Sequence, residues 1–211
     1  MASSTEIEMT ARCTQEQWET LLGELRSSAV AMRTLDRFMV RVWKGEVVAE
    51  DPIDVRVKWT NGKEEVVIKT GGFGAQSRQE LEIALPSGQF HNAVEGFRML
   101  GFTTGCAMHR VIERCTQGDV EISLVRGREW YYVEVEYVGA SRDLAVAQTS
   151  IRGWFAAQNL EPFDTTAYLA FVKELSAHEN RHFPLSTYPA CLENDPRWAE
   201  LWRTITQVTE H

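Results

Sequence analysis

Two pairs of glutamates bracket the strand-rich part of this 211-residue chain, Glu6 with Glu8 near its start and Glu134 with Glu136 about two thirds along. Side chains alternate along a β-strand, so residues two apart lie on one side. Each pair can therefore share a cation, and a hard ion such as Mg²⁺ prefers the oxygen ligands that carboxylates supply. Between the pairs, Arg56, Lys58, Lys69, Arg78, Arg110 and Arg114 fall on the polar faces of the intervening strands. A polyphosphate would explain charges of both signs in one place: guanidinium and ammonium groups neutralise phosphate oxygens, while carboxylates hold the divalent ion that bridges them. The plainer alternative is that these are solvated outer faces of a sandwich, since half-solvated antiparallel sheets alternate in the same way. Against it, the apolar faces are as full as the polar ones are charged, and several amphipathic helices are available to cover them. A barrel with charge inside and helices outside satisfies both sets of faces.

The elements that must position these residues follow from periodicity. Glu6 to Cys13 alternates as a strand, and Thr14 with Gln17 forms a capping box before Trp18, Leu21, Leu22 and Leu25 at helical spacing. Strands are predicted over Leu35 to Trp43 and Ile53 to Thr60. Asn61-Gly62 then supplies a tight hairpin turn, so that Glu64 to Thr70 returns antiparallel. Arg78 to Leu85 alternates again, and Phe90, Ala93, Val94, Phe97 and Leu100 mark a helix ending near Gly101. Further strands are predicted over Ala107 to Cys115, Val120 to Val125 and Trp130 to Val138, then helices over Ala140 to Gln158 and Thr165 to Ala177. A proline-bearing loop, His178 to Asn194, precedes a last helix signalled by Asp195-Pro196 and carrying Trp198, Leu201, Trp202 and Ile205.

This pattern predicts an α+β fold, a closed eight-stranded antiparallel β-barrel with helices packed outside. It is expected as one domain over 1–211, with barrel strands at about 5–138 and C-terminal helices at about 140–208. Hydrophobic residues make up 44% of the chain and seven are tryptophan, enough for a real core. The formal net charge of −8 argues against nonspecific binding to nucleic-acid backbone, which needs a basic face to displace counterions. Cys13, Cys106, Cys115 and Cys191 show neither a C-x-x-C pair nor zinc spacing and read as reduced thiols, and no apolar run approaches the about 20 residues of a membrane span. A soluble, cytoplasmic protein is expected. His91, His178, His182 and His211 read as exposed residues without a site role, and Trp130, Tyr131 and Tyr132 as packing aromatics.

The chain also resembles the CYTH proteins (class IV adenylate cyclases, thiamine triphosphatases and inorganic triphosphatases) within the triphosphate tunnel metalloenzymes. Glu6-Ile7-Glu8-Met9-Thr10 is similar to the family's N-terminal E-x-E-x-K, Asp36-Arg37-Phe38 to its D-x-Y-F/Y and Val55-Arg56-Val57-Lys58 to its L-R-x-R. Val67-Ile68-Lys69-Thr70-Gly71 resembles L-T-x-K-x, and Arg78-Gln79-Glu80-Leu81-Glu82 resembles R-x-E-x-E. Leu100-Gly101-Phe102, His109-Arg110, Val133-Glu134-Val135-Glu136 and Ala167-Tyr168 then resemble L-G-F, K-R, V-E-I-E and S-Y in the family's order. The family lysine is replaced by Thr10, and the acidic residue of the penultimate strand by Val125.

The resemblance implies a Mg²⁺- or Mn²⁺-dependent hydrolase of a small-molecule triphosphate: inorganic tripolyphosphate, thiamine triphosphate or a nucleoside triphosphate. Glu6, Glu8, Glu134 and Glu136 would ligate metal. Arg56, Lys58, Lys69, Arg78, Glu80, Arg110 and Arg114 would bind substrate, with Glu6, Glu8, Lys69 and Arg110 closest to the chemistry. Two alternatives stand beside it: an RNA 5′-triphosphatase of the same superfamily, the one case in which triphosphate-ended RNA is a partner, and a non-catalytic polyphosphate- or nucleotide-binding protein.

Overall fold

A computed structural model of the protein describes residues 4–28, 31–45, 53–71, 77–140 and 143–207, without the side chains of 4–6, 77 and 207. Among the described residues the chain runs β1 (Ser4–Cys13), α1 (Gln15–Ser27), β2 (Arg33–Trp43), β3 (Ile53–Thr60), β4 (Lys63–Thr70) and β5 (Ser77–Leu85). It continues through α2 (Phe90–Met99), β6 (Thr104–Gln117), β7 (Val120–Arg126), β8 (Tyr131–Tyr137), α3 (Leu144–Ala157), α4 (Thr165–Glu179), β9 (Arg181–Pro184), α5 (Ala190–Glu193) and α6 (Ala199–Gln207). Local chemistry accounts for several boundaries. Thr14 and Gln17 exchange the two hydrogen bonds of a capping box at the start of α1. Asn61 and Gly62 take φ of 49° and 86° between β3 and β4, the left-handed values that this hairpin turn demands.

The strands pair antiparallel in the order β2-β3-β4-β5-β1-β8-β7-β6, and β6 returns to β2, so eight of them close into the expected barrel. The closing seam runs from Arg33 opposite Arg114 to Trp43 opposite Thr104. It extends β6 beyond the predicted Ala107 to Cys115, because a strand with a full-length partner is extended as far as that partner reaches. The predicted loop 178–194 instead contains β9, which pairs with the start of β6, a 3₁₀ turn at Leu185–Thr187, and α5. Four residues carry no readable period, and β9 is a strand only because the edge of β6 is there to pair with. The last helix starts three residues after Pro196, following a turn in which the Arg197 amide donates to Asp195 Oδ1 at 3.0 Å.

Register decides which face looks inward. Ile7, Met9, Ala11 and Cys13 of β1 join Ile122, Leu124, Val133 and Val135 in an outer core beneath α1 and α3, through Trp18, Leu21, Ile151 and Phe155. Phe38, Val40, Val42, Val55, Val57 and Val66 form a second outer core under α2 and α6, with Phe90, Val94, Trp198 and Trp202. Each fully buried large apolar side chain contributes about 1.5–3 kcal/mol, so the barrel wall is held from outside and its interior is left to other chemistry.

To the outer helices the structure adds one that faces inward. Phe171 and Leu175 of α4 pack on Ile112, Val125 and Tyr132, which lie on the inward faces of β6, β7 and β8. The α4 segment is tied at both ends. The Phe163 amide donates to the Thr10 carbonyl at 2.8 Å, and the buried Glu179 carboxylate accepts from the Arg128 and Glu129 amides at 2.7 Å each. Gly127 is what lets that carboxylate approach the β7–β8 turn: a Cβ there would stand 2.6 Å from Glu179 Oε2.

Candidate functional site

The inward faces carry the charge. On β1 and β8, Glu8 stands opposite Glu136 and Thr10 opposite Glu134, while Glu134 also faces Ser123 of β7. Across the barrel, Arg41 on β2 faces Arg56 on β3, Lys58 faces Glu65 on β4, and Lys69 is flanked by Asp54 and Glu80. Period two places each set on one side of its strand, and closure turns all of those sides toward a common interior.

A cavity of about 610 Å³ lies between this interior and α4, with Arg37, Arg41, Arg56, Arg110, Glu134 and Thr10 on its barrel side. Met39, Trp43, Met108, Ile112 and Tyr132 line it too, facing Tyr168, Phe171, Val172 and Leu175 from α4. The cavity thus gathers Arg56, Arg110 and Glu134 of the residues singled out in the sequence. Lys58, Lys69 and Glu80 form a ladder on the adjoining wall, with Lys69 Nζ 3.0 Å from Glu80 and Lys58 Nζ 3.8 Å from Glu80 and 3.7 Å from Glu65. Arg78 reaches toward Asp54 at 3.8 Å. Arg114 is separate from the cavity lining, held by Glu121 at 3.0 Å and by Ser123, to whose hydroxyl its Nε donates. The Glu6 side chain lies outside the described residues, but its backbone is in register with Arg78, two residues from Glu8.

Arg37, Arg41 and Asp54 belong to the same interior and were not singled out as site residues, although each sits on a charged face whose alternation is readable. Tyr168, known from the sequence only as part of a two-residue motif, has its phenol among Glu8, Glu134, Arg56 and Arg78. Burial, with Glu8 and Glu134, raises its pKa. His182, expected to be exposed and without a site role, is exposed at the edge of the cavity lining beside Cys106, whose Sγ lies 3.7 Å from its Nε2, and its ring meets the Ser176 hydroxyl at 2.7 Å. His109 points outward, as alternation requires, and contacts Asp36 at 2.6 Å. Burial pushes the thiols of Cys13 and Cys106 up to about 12, which leaves neither as a thiolate nucleophile at neutral pH.

Arg110 is buried and held in place, donating from Nη2 to Asn180 Oδ1 at 2.7 Å and from Nη1 to the His109 carbonyl at 2.6 Å, with further N–H groups left over on its guanidinium. Burial lowers the Lys58 pKa to about 8, helped by Arg37 and Lys69 and opposed by Glu80. The sign follows directly: Lys58 is charged below about pH 8 and loses its proton above it, so its attraction for an anion is present at pH 7 and fades by pH 9. Anion affinity measured by calorimetry is expected to fall between those values in the parent, and to fall less in Lys58→Arg, whose guanidinium stays charged. An equal decline in both would remove Lys58 from the site.

Donor chemistry suits a hard divalent cation, since Glu8, Glu134 and Glu136 present oxygens on one inward face. Among the described residues, no three His, Cys, Asp or Glu side chains group closely enough to hold an ion. No helix of the described residues is long and apolar enough to cross a membrane.

Neither a protein-family model nor a curated protein matches the sequence. Solved structures do match the fold. The PH1012 protein of Pyrococcus horikoshii superposes with a TM-score of 0.61 at 18% identity, over 78% of this chain and 98% of that one. A conserved hypothetical protein of Pyrococcus furiosus gives 0.59 at 20% identity, over 74% and 91%. A protein of Vibrio parahaemolyticus proposed to be an adenylate cyclase gives 0.57 at 8% identity, over 76% and 91%. At such identities the likeness is one of fold.

Proposed function

We propose, proceeding from the CYTH tunnel fold that this chain has, that its barrel binds and hydrolyses a small-molecule triphosphate with a divalent cation. The observation that carries this reading is the convergence of Arg37, Arg41, Arg56, Arg110 and Glu134 on one cavity inside a closed barrel. Guanidinium groups on three strands suit a chain of phosphates better than a single anion, because each can turn N–H donors toward a different phosphate group.

In this reading Glu8, Glu134 and Glu136, with Glu6 by its place on the same strand, would hold Mg²⁺ or Mn²⁺, which would supply positive charge against the phosphate oxygens. The remaining work falls to the chain's own groups. Arg56 and Arg110 hold the phosphates, Lys58, Lys69 and Arg78 add positive charge along the adjoining wall, and charge developing on the departing phosphate oxygens is stabilised in place. Water, oriented by a tunnel carboxylate that takes its proton, attacks the terminal phosphorus as the bond to the bridging oxygen breaks and the rest of the polyphosphate departs with that oxygen, so no protein nucleophile is needed. The α4 contacts with Ile112, Val125 and Tyr132 keep bulk water from that side.

Turnover of tripolyphosphate, thiamine triphosphate, ATP and triphosphate-ended RNA, each with Mg²⁺ and with Mn²⁺, tests the reading and separates the RNA alternative from it. Arg56→Ala and Lys69→Ala are each expected to weaken tripolyphosphate binding about tenfold or more, the equivalent of losing a charge-assisted hydrogen bond of about 1.5–3 kcal/mol. Unchanged affinity in both variants would move the ligand elsewhere. One observation favours a non-catalytic binding protein as the second reading. Thr10, buried and opposite Glu134, brings no charge where the related family carries a lysine. Tripolyphosphate that binds without turning over would decide for it.

A further inference from the structure

Arg41 and Arg56 stand directly opposite one another on β2 and β3, an arrangement that like charges make unfavourable unless something lies between them. Asp54 does. Arg56 donates to its Oδ2 from Nε at 3.0 Å and from Nη2 at 2.5 Å, and Arg41 Nε lies 3.0 Å from its Oδ1. Arg78, reaching over from β5, brings Nη1 to 3.8 Å of Oδ2. The Asp54 side chain is 3% exposed and sits behind the cavity wall, whereas Arg41 and Arg56 reach that wall. Burial alone would raise the carboxyl's pKa, but Arg56, Arg41 and Arg78 outweigh it and hold the group ionised, well below the usual carboxylate range. Three guanidinium groups around one oxyanion is also what an anion pocket offers a phosphate, so the tunnel already contains an anion of its own.

We propose that Asp54 is a built-in counter-anion that makes the tunnel select polyphosphate over orthophosphate. The inference rests on the reading of this tunnel as a polyphosphate site. An entering phosphate must share Arg41 and Arg56 with a carboxylate that already holds them, and it meets that carboxylate's negative charge at close range. Orthophosphate has nothing further to gain. A polyphosphate reaches on along β2 to Arg37 and to Arg110, which stands opposite Arg37 on β6, and those contacts offset the repulsion. When the cavity is empty, the same carboxylate keeps the facing arginines from driving β2 and β3 apart. After hydrolysis it disfavours retention of the orthophosphate product.

The experiment is Asp54→Asn in the full chain, titrated calorimetrically with orthophosphate and with tripolyphosphate alongside the parent. The expected result is orthophosphate binding tightened about tenfold or more and tripolyphosphate binding tightened less, so that the ratio of the two dissociation constants shrinks. Orthophosphate binding that is unchanged or weaker overturns the inference, since a carboxylate that merely positioned the arginines would weaken both ligands when lost. The shift in melting temperature that orthophosphate adds is a readout that a purely structural role would not move. Ligand-free Asp54→Asn is expected to melt below the parent, with orthophosphate restoring more of its stability than it adds to the parent. Should the variant not fold alone, refolding in orthophosphate decides: recovery of a cooperative melt supports the counter-anion role, and failure to recover overturns it. A parent that binds no tripolyphosphate sinks the polyphosphate reading and the selectivity with it. A parent that binds it, beside an Asp54→Asn whose ratio does not shrink, sinks this inference alone.

Discussion

Glu134→Gln is expected to lower metal-dependent turnover of tripolyphosphate about 10²–10³-fold, the scale seen when one preorganised stabilising group is removed from an active site. Glu134 is the glutamate with the most to do. It lies opposite Thr10 on one side and Ser123 on the other, lines the cavity beside Arg37 and Arg110, and acts on the phenols of Tyr132 and Tyr168. Glutamine keeps its size and removes only its charge, so the barrel is expected to remain folded and the loss to show in turnover rather than in melting temperature. Where the parent binds without turning over, the same substitution is expected to abolish the metal-dependent part of binding. Turnover within about tenfold of the parent would take Glu134 out of the ligand set, because a residue that holds a catalytic ion cannot lose its charge so cheaply.

The second large effect concerns stability. Resemblance in sequence alone would recommend restoring the family's acidic residue at Val125, and the structure advises against it. Val125 is 1% exposed and packed with Ile112, Tyr132, Phe171 and Leu175 where α4 closes the barrel. Val125→Asp would place a carboxyl among these apolar groups, none of which brings a charge to compensate it. An uncompensated buried charge costs about 3–5 kcal/mol, which at about 2–4 °C per kcal/mol for a chain of this size lowers the melting midpoint by roughly 10 °C. Val125→Thr, similar in volume and carrying a hydroxyl, is expected to cost about 1–3 kcal/mol. Denaturant titration at neutral pH checks both. A Val125→Asp protein as stable as the parent would mean that α4 does not seal this end. Thr10→Lys is a different case, because Thr10 lies directly beside Glu134 on the neighbouring strand at the cavity wall, and a lysine there has a carboxylate to pair with.

These two positions show what could be read from the chain directly and what could not. Local chemistry determined the elements: the period of two in β1, β3 and β5, the Asn61-Gly62 turn, and the Thr14 and Gln17 capping box each depend on neighbours within a few residues, and each appears where those neighbours place it. Alternation also determined that Glu134 and Glu136 share a face, and likewise Arg56 and Lys58, because side-chain direction in a strand is a local property. The tertiary structure decided which side of the sheet each helix covers. Phe171 and Leu175 give α4 the same apolar stripe that Ile151 and Phe155 give α3, yet one helix meets the inward face and the other the outward. An apolar stripe specifies burial without naming the surface it is buried against. Only closure of β2 on β6 made Arg37, Arg110 and Glu134 walls of one cavity, since strands far apart in sequence meet through pairing that no short-range period records. Asp54 reads locally as one more polar residue on an alternating face. Its three arginines come from β2, β3 and β5, and it took the barrel to bring them to one carboxylate.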